Sequence, residues 1–172
     1  VFIDNTPCTS SGAVCVDSIR FFLYNCTYIG AKKERKKMEM GMRDKTCCFT
    51  GHRTLPQNER SEVQARLYIV LQKLTEKGIQ YFGSGGAMGF DLLAAEVVLE
   101  LRKRYPHIRL IMVLPYENQE RGWDEEEVRR YHTILEQANK VVYLQREYRC
   151  GCMLRRNRYL VDNSRVCVAY CT

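Results

Sequence analysis

No apolar run in this chain approaches the roughly 18 residues that a membrane span requires. The N-terminus lacks a basic leader region, and the apolar stretch Ile19 to Tyr24 is too short and interrupted for a secretion signal. These absences point to a cytoplasmic protein. Histidine is scarce, at three residues, and no Cys/His cluster supplies four zinc ligands, so no metal site is expected. The nine cysteines make an odd count without a secretion signal, which argues against a disulfide framework. Cys47, Cys48 and Cys167 sit in apolar runs, where a free thiol behaves as a small buried hydrophobe. No Ser-His-Asp or Cys-His arrangement is legible, and no Lys-Ser/Thr follows a glycine loop as a Walker A motif would demand. Repeats are also missing.

What is present is a core-forming domain with a distinct leader. The chain has 172 residues, enough for one domain with a real core. Its net charge of +7 is spread unevenly. Residues 1–45 hold eight Lys/Arg against five Asp/Glu, and the remaining 127 hold 19 against 15. The folded part is only mildly basic, too little to demand nucleic acid as a partner. The leader shows no sustained period and ends in the run from Lys32 to Lys37, followed by Met38, Met40 and Met42. Lys, Glu and Arg can all be encoded by purine-only codons, as a ribosome-binding site read in frame would be. Residues 1–42 are therefore expected to be an N-terminal extension, disordered or translated upstream sequence, with synthesis starting at one of those methionines. Residues 43–172 are expected to form the domain. They close on a strand-like run, Arg165 to Tyr170, without a covering element, so the domain is expected to be truncated at its C-terminus.

Within the domain, apolar strand-like runs alternate with helical patterns. Strands are expected at Thr46 to Thr50, Ile79 to Phe82, Ile108 to Leu114, Lys140 to Leu144 and Arg165 to Tyr170. Helices are expected at Glu59 to Lys77, Ala87 to Arg104, Asp124 to Gln137 and Cys152 to Asp162. This alternation predicts an α/β fold, a Rossmann-like doubly wound parallel sheet in three α/β/α layers. Ligands of such sheets bind at the carboxyl ends of the strands.

The candidate site residues fall on those loops. Gly83 to Asp91 joins a strand to a helix, and its glycines let backbone approach a ligand while the first helical N–H groups stay free for an anion. A phosphate-bearing nucleotide derivative is the expected ligand, cradled by Ser84, Gly85, Gly86, Ala87 and Gly89. Asp91 either complements the helix dipole or accepts hydrogen bonds from a ribose. Glu96, five residues on, lies about 140° away around the helix at roughly 100° per residue, so the two carboxylates cannot form an acid/base pair. Glu96 is either a half-exposed surface glutamate or a ligand contact. Gly51, His52 and Arg53 follow the first strand, Gly51 for a tight turn and the other two as donors toward an anion. The alternative is a loop cap and a surface ion pair. Gln119 and Trp123 occupy the third loop, Trp123 either stacking on a base or anchoring the loop. Asn157 is expected on an apolar stripe with Met153, Leu160 and Val161, needing partners from a loop or a ligand. Arg156 near the helix start is a phosphate candidate. His132 is expected on the apolar face of its helix with Val128, Tyr131 and Leu135.

Four segments together, Thr46 to Arg53, Ser84 to Glu96, Gln119 to Trp123 and Arg156 to Asp162, resemble the YpsA-like branch of the SLOG superfamily. The resemblance runs from about Lys45 to the end of the chain. It implies a Rossmann-like domain that binds ADP-ribose- or NAD-like ligands, in a bacterial regulatory role linked to cell division. The superfamily includes LOG-type phosphoribohydrolases and the DNA-processing protein DprA. These imply two alternatives: cleavage of a nucleoside monophosphate using Asp91 or Glu96, and single-stranded DNA binding through the Arg146 to Arg165 cluster. The LOG pattern Pro-Gly-Gly-x-Gly-Thr is not kept, since Ser84 replaces the Pro and Phe90 the Thr. A protein partner and homo-oligomerisation are left open.

Overall fold

The structure, a computed structural model, describes residues 41–171 and, as backbone alone, residues 20–25. The rest of the N-terminal extension lies outside the described residues. Ten elements follow one another: strands β1 (Arg20–Asn25), β2 (Thr46–Gly51), β3 (Tyr81–Ser84), β4 (Arg109–Leu114), β5 (Lys140–Tyr143) and β6 (Val166–Cys171), with helices α1 (Gln57–Glu76), α2 (Phe90–Arg104), α3 (Glu125–Gln137) and α4 (Cys152–Asp162). The strand order is β1-β6-β2-β3-β4-β5. The last five are mutually parallel, as the helix–strand alternation predicts, and they carry a three-layer Rossmann-like arrangement. β1 is an addition to the sequence reading, which has no element there. It pairs antiparallel with β6, Arg20 opposite Cys171 and Asn25 opposite Val166.

Alternation along the strands separates two cores. Cys47, Phe49, Phe82, Leu110, Met112, Leu114, Val166 and Val168 join one cluster with the buried residues of α1, α2 and α3. Cys48, Val113 and Cys167 join another with Leu160 of α4. Among the described residues, three helices therefore cover one face and α4 the other. Each fully buried Leu, Val or Phe contributes about 1.5–3 kcal/mol. The first core holds most of them, including Phe90, Leu93, Ala94, Val97, Val98 and Leu101, which recur at helical spacing along α2.

Two of the boundary shifts and one helix face that turns have local reasons. β3 runs through Gly83 and Ser84, because β4 pairs with it as far as Met112 opposite Ser84. α2 begins at Phe90 and not at Ala87, since Gly86 and Gly89 take φ of 64° and 78°, outside the right-handed helical region. The inward face of α3 is Tyr131 and Ile134, whereas His132 is exposed beside Glu120 at 3.7 Å. That corrects the expected placement of His132 on the apolar face.

Gly51 also has a different task from the expected tight turn. A Cβ there would meet the Phe90 ring at 2.6 Å and the Phe90 Cβ at 2.8 Å. Phe90 itself stacks on Tyr170 at 5.4 Å, at the C-terminal end of β6. Bare backbone at Gly51 thus lets α2 seat its first side chain against the sheet. Gly51→Ala is expected to destabilise the fold by about 1–3 kcal/mol through overpacking, measured as a lower urea midpoint at unchanged slope.

Candidate functional site

The loops after β2, β3 and β4 meet at the carboxyl rim of the sheet. At the centre is the turn Gly85 to Gly89. Gly86 and Gly89 supply its two positive φ values. Each is also pressed by a neighbour. A Cβ on Gly89 would lie 2.2 Å from the Arg53 carbonyl oxygen, and Phe90 N–H donates to the His52 carbonyl at 3.1 Å. The β2–α1 loop is thus locked against the start of α2. A Cβ on Gly86 would meet Leu114 at 2.9 Å and Gln119 at 3.0 Å.

Buried polar groups hold the turn. The Ser84 hydroxyl donates to the Asp91 carbonyl at 2.9 Å and accepts from Gly86 N–H at 3.2 Å. Gln119, 6% exposed, donates to the Gly86 carbonyl at 2.9 Å. Its amide also reaches the Tyr131 hydroxyl at 3.4 Å, and burial pushes that hydroxyl's pKa upward, so it stays protonated. Tyr131 is a member of this group that sequence reasoning passed over. Its helical spacing marks it as core, and nothing local pairs it with Gln119.

Under the turn lies a buried ion pair. Arg156 and Asp91 are 5% and 6% exposed, and Arg156 Nη1 donates to Asp91 Oδ2 at 3.0 Å. The same oxygen accepts Ala87 N–H at 3.4 Å. The guanidinium rests on Gly85, where a Cβ would fall 1.4 Å from Nη1. Arg156 Nε has no hydrogen-bond partner among the described residues. Burial raises the Asp91 carboxyl above its ordinary range, against the opposing pulls of Arg156, the Ala87 amide and Arg53.

The inward face of α4 is Cys152, Arg156 and Leu160, one residue out of step with the expected stripe. Asn157 is only half-buried and Val161 is exposed, so the polar residue that α4 turns inward is Arg156. A buried arginine is tolerable there because a carboxylate answers it.

The outer layer is open. His52 and Arg53 are exposed, and Ala87, Met88 and Gly89 are half-buried. The amides of Met88 and Gly89 have no hydrogen-bond partner among the described residues, nor does Arg53 have an ion-pair partner there. Arg53 is near enough to act on the Asp91 charge.

Two candidates lie apart from this group. Trp123 packs edge-on against Tyr131 at 5.4 Å and joins the core as a loop anchor. Glu96 faces α3, accepting from Arg130 Nε at 2.8 Å and Nη2 at 3.0 Å, with Arg60 at 3.5 Å. It borders a groove of about 340 Å³ between α2 and α3 that Lys103, Arg129 and Arg130 also line. Asp91 and Glu96 thus serve separate places, as their helical spacing requires. Among the described residues no three His, Cys, Asp or Glu side chains gather in a way that could hold a metal ion. No helix among them is long and apolar enough to cross a membrane.

A family model described as the YspA SLOG family matches residues 48–171. A UPF0398 protein of Halalkalibacterium halodurans is 41% identical over 93 residues, which are 53% of this chain and 49% of that one. A UPF0398 protein of Brevibacillus brevis is 36% identical over 97 residues, covering 55% and 51%. The SPbeta prophage-derived protein YoqJ of Bacillus subtilis is 28% identical over 121 residues, covering 63% and 71%. The chain spans about half the length of the two UPF0398 relatives. Among solved structures, DNA processing protein A from Helicobacter pylori aligns over 84% of this chain and 57% of its own, at 16% identity and a TM-score of 0.47.

The ion pair predicts its own energetics. Arg156→Met leaves a buried carboxylate alone and is expected to cost about 3–5 kcal/mol, with Asp91→Asn/Arg156→Met costing less than the two single changes together. The pH sign follows from the raised carboxyl, which binds its proton more readily in the folded state. Stability from that proton is full below the unfolded value of about 3.9 and falls as pH rises through the folded value. Urea titrations of Asp91→Asn across that window should show a shallower fall than the parent protein.

Proposed function

Since the chain belongs to the YspA SLOG family, we propose that it binds or senses a nucleotide-derived ligand of the ADP-ribose or NAD type, in a bacterial regulatory role such as cell division. The observation that carries this reading is the outer layer of the rim. Arg53, an exposed arginine without an ion-pair partner among the described residues, has its backbone against Gly89 and is near enough to act on the Asp91 charge, and among the described residues the Met88 and Gly89 amides have no hydrogen-bond partner. A guanidinium and free amides at the start of a helix are the donors a diphosphate needs. Gly51, Ser84, Gly85, Gly86 and Gly89 shape the rim, His52 and Ala87 border it, and Gln119 holds the turn in place. Trp123, Asn157 and Glu96 are left out of the contact set.

A phosphoribohydrolase reading has less support. Its carboxylate would have to be free at the ligand, whereas Asp91 is engaged by Arg156 and Glu96 by Arg130 and Arg60. Phe90, which stands where LOG enzymes carry a Thr, is core.

Isothermal titration against ADP-ribose, NAD and AMP tests the proposal. Arg53→Gln should weaken the tightest of them by about 10- to 100-fold, the worth of one charge-assisted contact. No heat with any of the three, or equal affinity in the variant, ends this reading. Release of free base from AMP would instead establish the hydrolase.

A second reading, single-strand binding, has one observation in its favour. Arg146, Arg149, Arg155 and Arg158 are exposed without ion-pair partners among the described residues, close in sequence to exposed Tyr148 and Tyr159. Unpaired guanidiniums with exposed rings suit a single-stranded backbone and its bases. Affinity for oligo-dT should then fall steeply with salt, by roughly 0.7 in log–log slope per phosphate contact, and Arg155→Glu/Arg158→Glu should flatten that slope. Unchanged binding in the double variant removes the reading.

A further inference from the structure

We propose that the outer edge of β6 is a strand-accepting surface, and that the strand it takes, residues 20–25, is exchangeable between two copies of this chain. The rim and its ligand play no part in it.

The two outer strands of the parallel sheet are built differently. β5 has the marks of a strand that ends a sheet. It is four residues long, its Lys140 and Tyr143 are exposed, and Val141 and Val142 are half-buried. β6 has none of these marks. Val166–Cys171 contains no charged residue and no proline, and Val166, Cys167, Val168, Ala169 and Tyr170 are all buried. β2 satisfies one side of its backbone, from Cys47 opposite Val166 to Gly51 opposite Tyr170. With its other side bare, an apolar strand of this length carries a row of unmet N–H and C=O groups, a template for pairing with another chain. By composition β6 is an interior strand and needs a second neighbour.

Residues 20–25 supply that neighbour in a form that can be exchanged. Phe21, Phe22 and Tyr24 are of the aromatic type enriched in strands. Their segment pairs antiparallel along the whole of β6, from Arg20 opposite Cys171 to Asn25 opposite Val166. Among the described residues, β6 is the sole element in broad contact with β1, so the ladder itself holds β1 in place. Main-chain bonds of this kind give affinity to any extended segment that fits the register. Asn25 and Thr46 are joined by residues 26–45, which reach up to roughly 70 Å at about 3.3–3.6 Å per residue. The six-stranded sheet is about 24 Å from first strand to last at roughly 4.8 Å spacing. The same segment therefore reaches its own β6 or that of a second copy. A mutual exchange closes as a two-fold dimer. Within one chain the local concentration of β1 is of roughly millimolar order, so monomers dominate in dilute solution.

The test uses the full chain with a recognition sequence for a specific protease inserted after Gly30, so that cutting frees residues 1–30 without removing them. The probe is a fluorescent peptide of residues 17–25. After cutting, residues 1–30 should stay with the domain through gel filtration, and excess peptide should displace them. A peptide carrying Phe22→Pro and Leu23→Pro should bind at least about tenfold more weakly. Successive N–H groups of a strand point to opposite sides, so one of these two faces β6 and proline removes it. Loss of the fragment with no peptide binding, retention that excess peptide does not relieve, or equal binding of the proline peptide overturns the proposal. Should the cut chain precipitate, the uncut chain decides. Tagged and untagged copies, mixed at about millimolar concentration and then diluted, should yield mixed dimers on affinity capture, and copies carrying both prolines should not. The absence of mixed dimers, or their persistence in the double-proline chain, overturns it.

Discussion

One guanidinium lying on a glycine, answered by one carboxylate, ties the two layers of helices across the carboxyl rim. Arg156 comes from α4, the one helix among the described residues on its face of the sheet, and Asp91 from α2 on the other face. A side chain at Gly85 would leave no room for the guanidinium, and without Asp91 its burial would have no compensation. The pair thus couples the position of α4 to the shape of the turn that opens α2. Any ligand that competes for Arg156 acts on both at once.

The polar groups around the turn follow from that constraint. Ser84, Gln119 and Tyr131 are buried, and each finds a partner in the chain: the turn backbone for Ser84, both that backbone and Tyr131 for Gln119. A glycine-rich turn has little side-chain packing of its own to hold it, so bonds from β3 and from the β4–α3 loop do so. The turn is consequently held where it is buried, at Gly85 and Gly86, and partly open along Ala87, Met88 and Gly89.

How much of this the sequence displays depends on whether the signal is local. The α2 stripe from Phe90 to Leu101 repeats at helical spacing and appears intact in the core. The five parallel strands are likewise short apolar runs with turn residues at their ends. On α4 the same method misplaces the inward face by one residue, because it ranks Met153 and Val161 above an arginine. Only the carboxylate 65 residues earlier makes the arginine acceptable, and no period links the two. His132 misleads in the same way, since Ile134 and not His132 completes the α3 face. β1 escapes because its pairing is with β6, about 150 residues later, and no helix or turn nearby announces it.

The glycines show where sequence reasoning meets its limit. A glycine cluster between a strand and a helix has the same letters whether it receives a ligand or its own protein. Here Gly51 admits Phe90, Gly85 admits Arg156, Gly86 admits Gln119, and Gly89 admits the backbone of the β2–α1 loop. Internal packing therefore accounts for all four without a ligand. What separates a binding turn from a merely tight one is the donors left over once packing is satisfied. Among the described residues those are the Met88 and Gly89 amides and Arg53, all cationic or proton-donating. Leftover donors of one character bear on the proposed anionic ligand more directly than the glycines themselves.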